Sequence, residues 1–377
     1  MRRRNIFIFF VAVSLFGLTF GIYEISIPFY LQSRKISFPR MGDIFAVSFL
    51  FAFLMRQYAG YLSDIFGRRP FFSAALFLSG LGNFCTPFFN TVGSQTLLKS
   101  LREGAFGVKE TMQSVILYEG AEKEFLNTYG KNRGTEWIFQ AAGIFLAGII
   151  AIRFSLSAAF FTSGIILFLA TALFWSFFQA APVKEAVGRR NAREIFSFDL
   201  TGKLRYLTII YFILNVNTGL SHGPTMPIYF RDRFGMSLAV IASLMVVHRL
   251  SLGLPMLFAG RLRSKNPKSF YLIALIFSGV SLILTPFISR AAIAIPVWIT
   301  HDLLGAGVYV PIHNYLIQNY AGEDIRGLHV SKSFAYSSLG VVPGYFLSGY
   351  LYNFNIGAPF FVAGAVTLLT CFLIARL

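Results

Sequence analysis

The sequence predicts an all-α polytopic membrane protein, with about twelve transmembrane helices in two pseudo-symmetric six-helix bundles. Three observations carry that prediction. Of 377 residues, 55% are hydrophobic and 13% are charged, roughly half the charged fraction of a soluble domain. Apolar runs long enough to cross a bilayer recur along the whole chain, without the short alternating segments of a β-barrel. The basic residues collect in the short turns between these runs. That placement excludes a nucleic-acid surface, although the formal net charge is +17.

The first span is predicted at 5–31. "MRRRNIFIFF" has the basic start of a signal peptide, but the apolar run is too long and no small-residue cleavage site follows, so it reads as a retained helix. Further spans follow at 42–64, 70–89, 95–118, 135–152 and 156–178. The polar stretch "APVKEAVGRRNAREIFSFDLTGK" then interrupts the pattern. Six more spans lie at 204–229, 237–261, 269–288, 292–318, 328–352 and 357–376. The domains are therefore 1–179, a linker at 180–203, and 204–377.

With the N-terminus inside, most turn Lys and Arg fall on the cytoplasmic side, among them Arg2, Arg68, Arg69, Lys123, Lys131, Arg133, Lys184, Arg189, Arg263, Lys265 and Arg376. Fewer fall outside, such as Arg34, Lys35, Arg40 and Arg153. This asymmetry predicts an inner-membrane protein with both termini cytoplasmic. Segments 132–148 and 325–349 both open on Arg-Gly and run into a Gly-spaced helix. Two related halves suggest a transporter with its site between them at mid-membrane. Cys85 and Cys371 fall near opposite faces, so no disulfide is expected.

The turn between the second and third spans reads "GYLSDIFGRRP". Gly60 allows close helix approach, Asp64 can accept hydrogen bonds from a helix N-terminus, Gly67 permits a tight turn, and Arg68 and Arg69 anchor at the inner surface. The pattern G-x-x-x-D-x-x-G-R-R resembles the signature loop of the major facilitator superfamily. That resemblance, extended by the six-plus-six layout and the basic linker, covers essentially the whole chain. It implies that Gly60, Asp64, Gly67, Arg68 and Arg69 form a latch across the cytoplasmic gap. The matching turn in the second half, "GRLRSKNPK", keeps Gly260 but has Ser264 in place of the Asp, so its latch is weaker or absent.

The fourth span places Lys99, Arg102, Glu103, Lys109 and Glu110 on one helical face, with Phe106 and Gln113. Each charge at mid-membrane costs about 2.5–3.5 kcal/mol, whereas each large apolar residue returns about half a kcal/mol at best. The face must line a wet cavity or meet charged partners, and a purely structural charge network is the alternative. Arg102, with Gly104 and Gly107, is also similar to the family's Arg in this helix, associated there with proton coupling.

Glu24 begins E-x-x-x-P, ending at Pro28, and resembles the coupling acid of some drug/proton antiporters. It sits either in the cavity or at the outer interface. In the tenth span Trp298, His301, Asp302, Tyr309 and His313 share a broad face, suited to proton relay, substrate contact or helix–helix bonding. The spacing matches no metal motif, so no metal is expected. The seventh span offers Asn215, Ser221 and His222 beside a potential bend at Gly223-Pro224. Spans one, four, seven and ten are the family's cavity-lining set. Arg56, Arg249 with His248, and Lys332 are read as structural pairs.

No Walker loop is present, so ATP does not drive the protein, and no catalytic constellation suggests an enzyme. The reading is a secondary transporter of a small organic solute, with the proton as coupling ion, no cofactor, a lipid bilayer around it, and a monomeric state. Helices one to three look most like drug/proton antiporters, which implies export of amphiphiles. The fifth span lacks the Gly-Pro pair of that branch, and the cationic excess of the fourth span suits an anionic or zwitterionic solute. A proton-coupled symporter is therefore the rival, and a non-transporting receptor or lipid-handling protein a remote one.

Overall fold

The computed structural model describes residues 3–179, 191–200, 202–262, 266–322 and 326–375. Among them the regular structure is entirely helical. The first group comprises α1 (Arg3–Ser33), α2 (Phe38–Phe66), α3 (Arg68–Cys85), α4 (Val92–Ala121), α5 (Phe125–Arg153) and α6 (Leu156–Phe177). The short α7 (Ala192–Phe196) follows. The second group comprises α8 (Gly202–Ser221), α9 (Thr225–Phe234), α10 (Leu238–Leu257), α11 (Pro267–Leu284), α12 (Ala291–Thr300), α13 (Gly307–Tyr320), α14 (Arg326–Ser338), α15 (Val341–Phe354) and α16 (Ala358–Ala375).

Helix ends follow local chemistry. Ser37 precedes α2, with Pro39 in its first turn, where the missing N–H costs nothing. Thr91 and Ser94 close a reciprocal capping box on α4, which satisfies two orphan donors. Gly67 separates α2 from α3 at φ 84°, a conformation that disfavours any side chain.

α1 packs on α5 and α6, α3 on α4 and α6, and α2 on α4. In the second group α8 packs on α15 and α16, and α11 on α16. The groups meet where α5 packs on α10 and α2 on α14 and α15. Asn5 bonds the Gln179 carbonyl, and Tyr206 bonds that of Leu373, so both chain ends gather at one end of the bundle. Phe145, Ile152, Leu169, Phe287, Phe354 and Phe372 are exposed, an apolar exterior that suits lipid rather than water.

Eight helical stretches among the described residues are long and apolar enough to cross a membrane, and one of them, Val92–Arg153, contains both α4 and α5. Three predicted spans are interrupted. The seventh breaks at Gly223, which sits at φ 60°, leaving α8 and α9. The tenth contains a π-helical turn at His301–Ala306 between α12 and α13. The eleventh breaks between Ser338 and Val341.

The fifth helix starts ten residues before its predicted span. Residues 125–134 read as a surface turn, yet they are helical because Phe125, Leu126 and Tyr129 pack into the core and Asn132 and Arg133 are buried among other helices. Arg133 is consequently buried rather than a turn cation. Both cysteines are free. Linker residues 180–190 and 201, Ser264 of the second turn, and the basic residues Arg2, Lys184, Arg189, Arg190, Arg263, Lys265 and Arg376 lie outside the described residues.

Candidate functional site

A cavity of about 240 Å³ lies between the two helix groups. α1 gives it Phe20, Tyr23 and Glu24; α2 gives Phe45, Phe49 and Arg56; α4 gives Lys99, Arg102, Glu103, Phe106 and Glu110; α5 gives Arg133 and Trp137. The opposite wall holds Tyr211, Asn215, His222, Arg249, His301, Asp302, Tyr309, Asn314 and Tyr345. The lining cations are Arg56, Lys99, Arg102, Arg133 and Arg249, and the lining anions are Glu24, Glu103, Glu110 and Asp302. The balance is one positive charge, with the imidazoles neutral.

The charges fall into three networks. In the first, Glu103 accepts from Lys99 and Arg102 at 2.6 Å each. The Arg102 guanidinium also lies 3.9 Å from the Tyr23 ring centroid, and Lys99 Nζ lies 4.0 Å from that of Phe45. Two cations share one carboxylate, so this end of the cavity is electropositive, and aromatic faces stabilise the surplus.

The second network explains how α4 tolerates its other charges. Glu110 accepts from Arg56 at 2.6 Å and Arg133 at 2.9 Å. Glu136 accepts from Arg133 at 2.9 Å and Lys109 at 2.6 Å, and from Gln113 at 2.9 Å. Arg56 also donates to the Gly107 and Phe334 carbonyls. Here three cations meet two anions, so the cations are again in excess. Such pairs persist in low dielectric when shared bonds satisfy most of their polar atoms; here Arg133 Nε and Gln113 Oε1 are the members left without a partner among the described residues.

The third network crosses the cavity. Arg249 of α10 donates to Glu24 of α1 and lies over Trp137 of α5, 4.8 Å from its ring centroid. Beside it, His248 bonds Asp302, and His301 Nε2 lies 3.2 Å from the other oxygen of Asp302.

Glu24, Lys99, Arg102, Glu103, Glu110, His222, His301 and Asp302 thus line the cavity. Three predicted members do not. Lys109 is fully buried behind the wall on Glu136, close to the Phe16 ring. Trp298 is buried against Phe230 and His248. His313 is buried, stacked on Tyr211 at 4.0 Å and bonded to the Tyr271 hydroxyl. Each shares the helical face assigned to it, but another helix covers that part of the face. Arg56 and Arg249, read as structural pairs, line the cavity as well as pairing. Glu136 was missed altogether, although Arg133-x-x-Glu136 has i, i+3 spacing. Lys332 lies elsewhere, bonded to Asp199 and the Glu194 carbonyl in the linker.

At the end that gathers the chain termini, Asp64 pairs with Arg68 at 2.6 Å and accepts from the Leu328 backbone N–H in the first turn of α14 at 3.0 Å. Arg68 also reaches Glu119 at 2.9 Å. Gly60 lies directly against Ser331, where an added Cβ would meet the hydroxyl oxygen at 2.1 Å. Arg69 takes no part in this contact between the groups; it lies over Trp175 of α6 and bonds its carbonyl. Gly260 packs on Asn127 of α5.

The sequence profile described as Major Facilitator Superfamily matches residues 9–331 and, in a second match, 207–377. The chain belongs to the major facilitator superfamily. No curated protein sequence matches it. Among solved structures, it is similar to the human organic anion transporter MFSD10 (TETRAN), with 16% identity, 99% of each chain covered and a TM-score of 0.79. It is also similar to a mutant of the nucleoside transporter NupG, with 10% identity, 99% of each chain covered and a TM-score of 0.77. At these identities the likeness shows the fold. As a member of this superfamily, the protein is a multi-pass membrane transporter of small molecules and not an enzyme, and it needs no cofactor.

Proposed function

We propose that this facilitator carries an amphiphilic organic anion together with a proton, by alternating access of residues 1–179 against 204–377 about the 180–203 linker. One observation carries the proposal: the Glu24–Arg249 bridge spans the cavity between the two helix groups. While Glu24 is ionised, it occupies Arg249. A proton on Glu24 releases the guanidinium, which then offers its donors to the anion of the solute. Lys99 and Tyr345 also feel the charge of Glu24. Proton and anion therefore bind with positive coupling, the logic of a symporter.

The lining supports the solute class. Guanidinium donors suit carboxylate or phosphate groups, and Phe20, Tyr23, Phe45, Phe49, Phe106 and Trp137 supply aromatic surface. The TETRAN likeness agrees with that class. Export of amphiphilic cations fits less well, because both lining carboxylates of α4, Glu103 and Glu110, already meet two cations each.

In this reading, Asp64, Arg68, Gly60 and Gly67 latch the cytoplasmic end, and both termini are cytoplasmic in a monomer of twelve spans in the inner membrane. The proposal is tested by uptake of labelled organic anions into proteoliposomes. An inward proton gradient should drive accumulation that a protonophore abolishes. Accumulation of lipophilic cations against an opposing proton gradient, with no anion uptake, would establish the antiporter instead.

A further inference from the structure

We propose that His222, His301 and Asp302 form a binding site for a divalent transition-metal ion that arrives through the cavity as cargo. One donor atom from each of the three lies within 4.8 Å of the others. All three residues line the cavity, so an ion can reach them. The inference goes beyond the anion–proton reading and does not need it, because binding can be measured without transport.

The hydrogen bonds accommodate the tautomers that metal binding requires. His301 Nδ1 bonds the Trp298 carbonyl, which can only accept, so Nδ1 holds the proton and Nε2 presents a lone pair. The Ser221 hydroxyl reaches the Asn217 carbonyl and side-chain oxygens; when its proton goes there, His222 Nδ1 donates to Ser221 Oγ, at 2.8 Å, and Nε2 is left as a lone pair. His248 holds one oxygen of Asp302. The other, Oδ1, has no hydrogen-bond partner among the described residues, and neither has His301 Nε2. These two buried atoms sit side by side at 3.2 Å with no hydrogen bond between them.

A cation is the group that satisfies two such lone pairs together. Donor atoms on a tetrahedral ion with bonds near 2.0–2.1 Å stand about 3.3 Å apart, so the His301–Asp302 pair already has that separation and His222 must close on it. The outer bonds from His301 to a carbonyl and from His248 to the carboxylate are those that orient metal ligands. Two imidazoles and a carboxylate select transition metals over Mg²⁺ or Ca²⁺.

The local fold builds this group deliberately. His301 and Asp302 open the π-helical turn, a feature that occurs mostly at functional sites. His222 follows the last residue of α8, just before the left-handed Gly223. Arg249 also faces the group, and its charge opposes a cation, but Glu24 neutralises it. An organic anion on Arg249 does the same, so the ion can enter free or as a chelate of the solute.

The test is Co²⁺ titration of the purified, tag-free protein, followed by its visible spectrum and by X-ray absorption at the cobalt edge, with CoCl₂ alone and with CoCl₂ plus citrate. The site predicts one ion per chain, with two imidazoles in its shell. Affinity should fall at least tenfold in His222→Ala and His301→Gln and stay unchanged in His313→Gln. A signal with CoCl₂ alone assigns the free ion; a signal only with citrate assigns the chelate. A shell of water alone in both arms overturns the site, as does binding indifferent to His222 and His301.

Discussion

Glu24 on α1 and Arg249 on α10 are 225 residues apart and form one ion pair across the cavity. The Arg249 side chain is almost fully covered, whereas 27% of the Glu24 side chain is exposed. In the proposed cycle the carboxylate is therefore the member of the pair that takes the proton, and the guanidinium is the member released.

Glu24→Gln should leave Arg249 permanently available. Anion binding is expected to persist in this variant and to lose its dependence on pH. Anion exchange should continue in proteoliposomes while uphill uptake driven by a proton gradient disappears. Arg249→Ala should lose anion affinity at every pH. A binding isotherm for each variant at three pH values checks both outcomes.

Lys109 and Glu136 are fully buried, so removing one partner strands a charge. Glu136→Leu alone should destabilise the fold by about 3–5 kcal/mol, because Lys109 is left without its carboxylate. Lys109→Met/Glu136→Leu together should be less destabilised, since Arg133 keeps Glu110 as a partner. Thermal unfolding in detergent reads this double-mutant cycle, and additive losses would place the role of the pair elsewhere.

The Gly60–Ser331 contact makes a steric prediction. Gly60→Leu cannot coexist with Ser331 at its present position, so the end that holds Asp64 and Leu328 should stand open. With Cys85 and Cys371 replaced by Ala, a Ser331→Cys reporter should label at least several-fold faster in the Gly60→Leu background. Asp64→Ala, which removes the Leu328 and Arg68 bonds at a cost of about 1–3 kcal/mol, should raise labelling less. Equal labelling in all three would show that this contact does not control access.

Lys332 ties the linker to α14 through Asp199 at 2.6 Å. Partial burial raises the Asp199 carboxyl, but the hydrogen bond and charge of Lys332 outweigh it and hold the carboxyl below its usual value. A depressed carboxylate stabilises docking above the ordinary carboxylate range and loses that effect as pH falls through the lowered value. The linker should thus stay docked at pH 5, and Lys332→Ala should release it at every pH. Proteolysis after Arg193, which is exposed, reports the release.

Much of the fold was legible because bilayer physics writes itself into long apolar runs and basic turns. The fourth span was legible for the same reason: its charges are too expensive to face lipid. The partners of those charges were harder to see. Residues 125–134 read like a surface turn, and packing against α4 and α10 buries part of them, so Arg133 was hidden by its surroundings, and Glu136, just inside the predicted span, lost its partner with it. Trp298 and His313 have the right helical phase for the cavity, but phase cannot tell which neighbour covers a face. The approach of His222 to His301 and Asp302 depends on the Gly223 break and the π-helical turn. Neither changes the hydropathy pattern.

The most direct test of the central claim is the number of protons exchanged when the anion binds. Calorimetric titrations with the anion that the proteoliposomes accumulate, in buffers of different ionisation enthalpy near pH 7, give that number. The Glu24–Arg249 exchange predicts uptake of up to one proton per anion by the native protein and none by Glu24→Gln. Proton release on binding, or the same uptake in both proteins, would contradict it.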